Sequence, residues 1–313
     1  MGKRTNKQYA LLTLKGMAMG AADVVPGVSG GTIAFISGIY EELISTIDSI
    51  NLSALKTLFK EGVKPFWRQI NGTFLVFLFS GIILSIGLLS SIVIGLLSSH
   101  PILVWSFFLG LIIASIWLVG KTVTKWNVKT TFGLIIGTGI ALWVSSIQTV
   151  ASVDANWYIV LSGAIAICAM ILPGISGSFI LILLGSYHTV YGAIKDLNFM
   201  IIGLFGLGCI LGLLSFSKVL KYLFTKFKNV TIAILTGFMI GSIYKVWPWK
   251  IKIGTEPLVV HSDGREDYMM SNVLPGGYED DSQLVLSILC LLIGIVLIVV
   301  LERVGPKEEK QGS

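Results

Sequence analysis

Charged residues are scarce in this sequence. Only 13% of the 313 residues are Asp, Glu, Lys or Arg, whereas ordinary soluble domains carry about 25%. Hydrophobic residues make up 54%, and the mean hydropathy is +0.85. So few charges cannot cover the surface of a folded 33.9 kDa body in water. The composition therefore excludes a soluble globular enzyme and places most of the surface in lipid.

Clustered metal ligands and paired cysteines are also missing. The cysteines and histidines are scattered along the chain, as Cys168, Cys209, Cys290, His100, His188 and His261. Their spacing offers neither a metal site nor a disulfide framework, so we expect buried thiols, no metal and no cofactor. The net charge is +6, but no stripe of Lys and Arg with interleaved aromatic residues indicates a nucleic-acid partner. In so apolar a chain, a basic excess is more typical of cytoplasmic loops.

Six apolar runs are each long enough to cross a bilayer core of about 30 Å at about 1.5 Å per residue. They lie at 73–97, 101–120, 131–149, 199–217, 229–247 and 283–301. We expect each run to form a transmembrane helix.

Two further apolar regions, 10–45 and 157–192, are interrupted at their centres by Pro-Gly. An arm of about 13 residues reaches only about 20 Å as a helix. Each region is therefore predicted to be a helical hairpin that re-enters the side it came from, with its tip at membrane depth. The alternative is a pair of short helices that cross.

The basic residues indicate the orientation of the chain. If both interrupted regions return, 17 of the 23 Lys and Arg residues fall in the N-terminal segment, in 48–72, 121–129 and 218–228, and in the C-terminal segment. The positive-inside rule then predicts a multi-pass protein of the cytoplasmic membrane with both termini in the cytoplasm.

The two interrupted regions also match each other. The motif P-G-V-S-G-G from Pro26 to Gly31 aligns with P-G-I-S-G-S from Pro173 to Ser178. Further on, Gly110 to Trp117 aligns with Gly237 to Tyr244. The chain is thus predicted to consist of two repeats.

The repeats, 1–150 and 151–313, would each contain one re-entrant hairpin and three transmembrane helices. Because three crossings is an odd number, the second repeat would be inverted relative to the first, as in many secondary transporters. The predicted fold is an all-α polytopic membrane protein with two inverted repeats. Residues 248–282 form one sizeable hydrophilic loop, which we place on the outer side.

The Pro-Gly motifs have the chemistry of an anion site. Proline ends the first arm, and the glycines allow a ligand to approach the backbone N–H groups closely. The hydroxyls of nearby serines and a threonine add further hydrogen-bond donors to an anion. Two such tips brought together would suit a phosphate. The predicted phosphate ligands are Lys15, Gly27, Ser29, Gly30, Gly31, Thr32, Gly174, Ser176, Gly177 and Ser178, with the hairpin breaks at Pro26 and Pro173. The alternative is a pair of glycine-rich packing turns.

A few ionisable residues lie near membrane depth, where each costs about 2.5 to 3.5 kcal/mol at a helix centre. They are Lys15, Asp23, Glu41, Glu42 and His188. Lys15 could neutralise a phosphate or extend to the membrane surface. Asp23, Glu41, Glu42 and His188 are candidates for proton coupling. Gly38-x-Tyr40 aligns with Gly185-x-Tyr187 at the same offset from the motifs, and Glu41 and His188 each follow that tyrosine. Either could simply mark a hairpin end at the interface.

The segment 51–68 has a helical hydrophobic period, with Lys56, Lys60 and Lys64 four residues apart. It is predicted to lie flat on the inner leaflet, where its lysines attract anionic head groups or anchor the topology.

At G-A-A-D-V-V-P-G-V-S-G-G-T, Gly20 to Thr32, and L-P-G-I-S-G-S, Leu172 to Ser178, the sequence resembles the bacterial polyprenyl-phosphate transporter family PopT. The likeness extends over nearly the whole chain. It implies a translocase that returns undecaprenyl phosphate, the lipid carrier of cell-wall precursors, from the outer to the inner leaflet. The implied partner is thus a polyprenyl phosphate lipid, and the oligomeric state stays open.

That substrate suits the tips, because the prenyl tail can stay in lipid while the protein lowers the barrier for the charged phosphate. Two alternatives remain open. Integral polyprenyl-diphosphate phosphatases use a similar P-G-x-S-R-S motif, but Gly30 and Gly177 stand at the position of its arginine, so dephosphorylation would lack a charge stabiliser. A small-anion transporter would share the tip chemistry but needs a closed aqueous path.

Overall fold

The computed structural model of this chain describes residues 4–24, 29–146, 155–254, 259–260, 266–278 and 280–304, and these are mostly helical. The first half contains α1 (Asn6–Val24), α2 (Gly30–Ile36), α3 (Tyr40–Ser49), α4 (Leu52–Glu61), α5 (Val63–Gln69), α6 (Gly72–Ser99), α7 (Pro101–Gly120) and α8 (Val128–Ser146). The second half contains α9 (Asn156–Ile171), α10 (Gly177–Leu183), α11 (Tyr187–Lys195), α12 (Phe199–Lys226), α13 (Lys228–Val246) and α14 (Leu284–Val304).

All six predicted transmembrane segments are helices, namely α6, α7, α8, α12, α13 and α14. Five of them are long and apolar enough to cross a membrane. The sixth, α14, contains a shorter apolar stretch, Leu284–Val300. The chain is therefore a multi-pass, helical membrane protein. Helix α12 continues to Lys226, past the predicted end at 217. Lys218 and Lys221 end the apolar run but not the helix. Residues 147–149 of the predicted third segment are outside the described part.

The first interrupted region, 10–45, folds back on itself. Helix α1 is its descending arm, and the short helix α2 returns alongside it. The Lys15 ammonium donates to the carbonyl oxygen of Ser37 at 2.5 Å, and the Asp23 carboxylate accepts from the Gly30 amide at 2.7 Å. These two contacts join the arms at both ends of α2, so the arms are antiparallel.

The second interrupted region, 157–192, is built from three helices, α9, α10 and α11, as the first is from α1, α2 and α3. The Tyr158 hydroxyl donates to the carbonyl oxygen of Leu184 at 2.8 Å, and the hydroxyls of Ser162 and Ser186 lie 2.7 Å apart. The turn after the short helix is glycine in both halves, since Gly38 and Gly185 have φ of 72° and 65°. A residue with a Cβ atom would be strained there.

Glycines stand at corresponding helix crossings in the two halves. Helix α1 packs along α6, and α9 packs along α12. At these crossings a Cβ atom on the glycine would collide with a carbonyl oxygen of the facing helix. The glycines are Gly16 and Gly81 in the first half and Gly163 and Gly208 in the second. Gly16 precedes the Pro-Gly motif by the same number of residues as Gly163 does.

The remaining long helices pair across the two halves. Helix α7 packs against α14, and α8 packs against α13. Gly110 of α7 faces the Leu291 carbonyl, and its aligned residue Gly237 of α13 faces the Leu134 carbonyl. Each half therefore contributes one helix to each pair, and the halves interlock.

The segments that carry most of the basic residues meet at one end of the molecule. Arg4 forms a bidentate ion pair with Glu42, which also accepts from the Asn71 amide at 3.0 Å. The Thr124 backbone amide donates to the Asn229 side chain at 3.1 Å. We call this end, formed by 4–7, 48–72, 121–129 and 218–228, the basic end. The Lys221–Asp48 ion pair joins the two groups of segments. On which side of the membrane they lie stays a prediction.

The predicted amphipathic segment 51–68 forms two helices, α4 and α5, which are divided at Gly62 with φ of 91°. Large apolar side chains on it, including Leu52, Phe59 and Val63, are exposed. An exposed apolar face beside exposed lysines fits the predicted contact with a leaflet.

The loop 248–282 contains strands, so the all-α prediction is incomplete. Strand β1 (Lys250–Ile253) pairs with β4 (Met269–Asn272), and β2 (Val259–Val260) pairs with β3 (Glu266–Asp267), both antiparallel. The alternating Lys-Ile-Lys-Ile of β1 is a strand pattern. The indole of Trp249 donates to the Ser282 carbonyl at 2.9 Å and so joins the two ends of the loop, next to the end of α13 and the start of α14.

Candidate functional site

The two hairpins touch at their tips. We call residues 29–32 the first tip and residues 172–178 the second tip. The Ser29 hydroxyl donates to the carbonyl oxygen of Met170 at 3.0 Å, beside the second tip. The Thr32 hydroxyl accepts from the Gly174 amide at 2.9 Å. Ser29 and Thr32 are both fully buried. The structure thus brings together residues of the two predicted phosphate-binding motifs.

The backbone amides of Gly30, Gly31 and Thr32 in the first tip already have protein partners. Ser29 caps α2 by accepting from the Gly31 amide at 3.1 Å. The Gly30 amide donates to Asp23 at 2.7 Å. A carboxylate therefore occupies the place that a phosphate oxygen would take at Gly30.

Tight packing also explains the glycines of the first tip. A Cβ atom at Gly31 would lie 2.5 Å from the Ile171 carbonyl oxygen, and one at Gly30 would collide with the Asp23 carboxylate. The alternative reading, a glycine-rich packing turn, describes these contacts as well as a ligand site does. In this conformation the first tip is closed.

The second tip is arranged differently. The Ser176 hydroxyl lies 2.9 Å from the Ser178 hydroxyl, and it caps no backbone amide of α10. Gly174 and Ser176 line a small cleft that is completed by Ser145 at the end of α8 and Lys245 in the last turn of α13. The Lys245 ammonium lies 3.9 Å from the ring centre of Phe179, the residue after Ser178. Hydroxyls and a cation therefore converge beside the second tip.

This cleft is small and lies away from the basic end. Its volume is about 10 Å³, which is room for a single water molecule. Helices α8 and α13 both begin at the basic end, so Ser145 and Lys245 lie towards the opposite end. A phosphate could enter only if the second tip moved relative to α8 and α13.

Lys245 was not among the residues singled out from the sequence. It lies inside the predicted segment 229–247, and the cost of an ionisable residue in an apolar run was the available signal. The sequence does not show which hairpin packs beside α13. Only the structure shows that Lys245 and Ser176 line the same cleft.

The other predicted residues lie elsewhere. Lys15 bonds the Ser37 carbonyl at the far end of α2 from the tip. Glu42 is held at the basic end by Arg4 and Asn71.

Of the other candidates, Glu41 pairs with Lys228 at 2.7 Å, also at the basic end. His188 is on α11, but its side chain is outside the described part, as are Pro26 and Gly27. Pro173 is fully buried in the second tip, and Gly177 faces the Ala166 carbonyl of its own hairpin. In the described ranges, no three His, Cys, Asp or Glu side chains are grouped to hold a metal ion.

Comparisons with known proteins place these features in a family. The VCA0040-like family, described as undecaprenyl phosphate translocase-like, matches residues 19–260. A polyprenyl-phosphate transporter of Vibrio cholerae is 43% identical over 311 residues, covering 98% of this chain and 99% of that protein. A polyprenyl-phosphate transporter of Staphylococcus aureus is 38% identical over 255 residues, covering 75% of this chain and 85% of that protein. No solved structure is significantly similar to this chain.

Proposed function

Because this chain belongs to the undecaprenyl phosphate translocase-like family, we propose that it moves undecaprenyl phosphate from the outer to the inner leaflet of the bacterial cytoplasmic membrane. The movement would return the carrier lipid for cell-wall synthesis. The family and its relatives indicate a transporter rather than an enzyme, which sets aside the phosphatase alternative.

The convergence of Ser176 and Lys245 on one cleft beside the second tip is the observation that carries this proposal. A lysine ammonium and hydroxyl groups are suited to bind the phosphate of a lipid head group. Next to the residues that line the cleft, Trp143 on α8 and Tyr244 on α13 are exposed. A prenyl tail could therefore stay in lipid while its phosphate enters sideways.

The contacts between the two tips suggest how transport proceeds. The bonds from Ser29 to Met170 and from Gly174 to Thr32 hold the two tips together. If the two halves are inverted repeats, rocking one against the other breaks these bonds. The phosphate then passes between the tips, where Gly30, Gly31 and Thr32 supply further ligands.

Asp23 is our proposed site of proton coupling. Its carboxylate accepts from the Gly30 amide, and an ionised acceptor makes the stronger bond. Protonation weakens this bond and frees the amide for the phosphate. Loss of the proton afterwards restores the closed first tip and drives the phosphate out.

The basic end defines the proposed orientation. By the positive-inside rule it faces the cytoplasm together with both termini. The cleft at Lys245 then faces the outer leaflet, where the substrate is loaded. The hairpins re-enter from opposite sides in this arrangement.

Transport by variants in proteoliposomes tests the assignment. Ser176→Ala and Lys245→Gln should each slow the movement of polyprenyl phosphate by about tenfold or more, since a hydrogen bond to a charged group contributes about 1.5 to 3 kcal/mol. Ser29→Ala should slow it as well. Ser215→Ala and Lys252→Gln, exposed and outside the site, are matched controls. Wild-type rates in correctly folded Ser176 and Lys245 variants would refute the assignment.

A further inference from the structure

A second cleft lies at the basic end, far from the tips. It has a volume of about 190 Å³ and separates α3 of the first half from α12 and α13 of the second. It is lined by Glu41, Ile44, Ser45, Lys221, Phe224, Thr225 and Lys228.

Two ion pairs connect α3 to the facing helices. The Lys228 ammonium lies 2.7 Å from a Glu41 carboxylate oxygen, and the Lys221 ammonium lies 2.6 Å from an Asp48 carboxylate oxygen. Lys221, Lys228 and Glu41 are about half exposed, whereas the Asp48 side chain is only 16% exposed. An exposed pair such as Lys228 with Glu41 contributes only about 0 to 1 kcal/mol, so another anion can replace Glu41 at little cost.

The walls of the cleft suit the start of an apolar chain. Ile44 and Phe224 are buried, while Ser45 and Thr225 add hydroxyls. The ring of Tyr40 packs against Phe224, and its buried hydroxyl has no hydrogen-bond partner within the described ranges. A buried hydroxyl without a partner is uncommon, and it lies behind Phe224 rather than in the lining of the cleft.

We propose that this cleft is a second phosphate-binding site, in which a phosphate monoester displaces Glu41 and Asp48 from Lys228 and Lys221. Two lysines that line one cleft can bind a doubly charged phosphate more strongly than a singly charged carboxylate. The inference rests on the proposed function, because the site would receive the head group after it has passed the tips. Breaking both ion pairs would also release α3 from α12 and α13, which couples arrival of the phosphate to movement of the first hairpin.

Binding to the purified full-length protein in detergent tests the site. The probes are inorganic phosphate and a short-chain polyprenyl phosphate, measured by titration calorimetry in a Lys245→Gln background so that the outer cleft contributes little. Lys221→Gln with Lys228→Gln should weaken binding by about tenfold or more. The matched control is Lys218→Gln with Lys226→Gln, which removes the same charge from exposed positions on α12 outside the cleft.

The carboxylates provide a test that misfolding cannot imitate. Glu41→Gln with Asp48→Asn should tighten binding by about threefold or more, because it removes the competing anions. Tighter binding of the prenyl phosphate than of inorganic phosphate would identify a lipid head group as the ligand, and equal binding would identify free phosphate. Unchanged binding in the Lys221 and Lys228 variant, or an equal loss in the control, would overturn the proposal.

The result is separable from the proposed function. If the wild-type protein binds phosphate at this cleft but moves no polyprenyl phosphate in proteoliposomes, transport fails and the site stands. If transport proceeds and the lysine variant binds normally, the site fails and transport stands.

Discussion

The serines of the two tips are used differently, although they occupy aligned positions. Ser29 both accepts from the Gly31 amide and donates to the Met170 carbonyl. Within the described ranges, the Ser176 hydroxyl bonds only to another hydroxyl, that of Ser178. Removing the Ser29 hydroxyl therefore removes two hydrogen bonds within the protein as well as any ligand contact. The Ser176 hydroxyl can turn to a phosphate without leaving a backbone group unpaired. This asymmetry is why Ser176, together with Lys245, gives the cleaner test of the site.

Lys250 provides a prediction about pH. Its ammonium donates to the Lys245 carbonyl and lies over the ring of Trp105. Burial, together with the nearby charge of Lys245, lowers the pKa of Lys250 from 10.5 to about 7. Between these values the unfolded chain binds more protons than the folded one. The free energy of unfolding should therefore rise with pH over this interval, by at most about 1.4 kcal/mol per pH unit from this group.

Thermal unfolding in detergent at several pH values from 7 to 10 measures this slope. Lys250→Met should flatten it, while Lys252→Met, the neighbouring exposed lysine, should leave it unchanged. A slope that survives in Lys250→Met would show that other groups produce it.

How much of the site the sequence predicts depends on the distance along the chain. The aligned motifs single out Ser29, Gly174 and Ser176 as candidate ligands, because a repeated pattern is visible without a fold. The structure brings Ser29 and Thr32 to the second tip, and phosphate binding by these residues stays a prediction. Lys245 is far from Ser176 in sequence, and only helix packing brings them to one cleft. Lys15 is close to the motif in sequence, and its charge suggested a phosphate ligand. In the structure its ammonium donates to the Ser37 carbonyl instead.

Among the helices, the crossing of α1 and α6 is one that a larger side chain should disturb. Gly16 and Gly81 face backbone carbonyls across it, and small residues are what allow helices to approach closely in lipid. Because the crossing holds the first hairpin against the long helix α6, its loosening should disturb the tip contacts as well.

Substitution of Gly81 tests this crossing. Gly81→Val should lower the free energy of unfolding by about 1 to 3 kcal/mol, as overpacking does elsewhere. Gly87→Val on the same helix is the control, because a Cβ atom there has open space around it. Thermal unfolding in detergent compares the two variants. Equal unfolding temperatures would mean that the crossing tolerates separation.

Most helices could be predicted because long apolar runs need no tertiary information. The end of α12 and the strands of the outer loop could not. Composition marks where the apolar run stops, whereas the helix continues through Lys218 and Lys221 to Lys226. Strand β1 is four residues long and depends on pairing with β4, which lies 16 residues further along the chain.

For the whole molecule, the proposal is that protonation of Asp23 at the first tip couples transport between the two leaflets to a pH gradient. Asp23→Asn retains an acceptor for the Gly30 amide but cannot exchange a proton. We expect it to remove the stimulation of transport by an imposed pH gradient while leaving slow movement without a gradient. Transport in proteoliposomes with and without the gradient measures this. A variant that responds to the gradient like the wild type would exclude Asp23 as the coupling site.

The most direct test of the central claim is reconstitution of the wild-type protein with labelled polyprenyl phosphate and, separately, labelled polyprenyl diphosphate. Leaflet exposure of the label and release of inorganic phosphate are followed together. The proposed function predicts that polyprenyl phosphate changes leaflet and that no phosphate is released from either lipid. Release of phosphate, or the absence of any movement between leaflets, would contradict it.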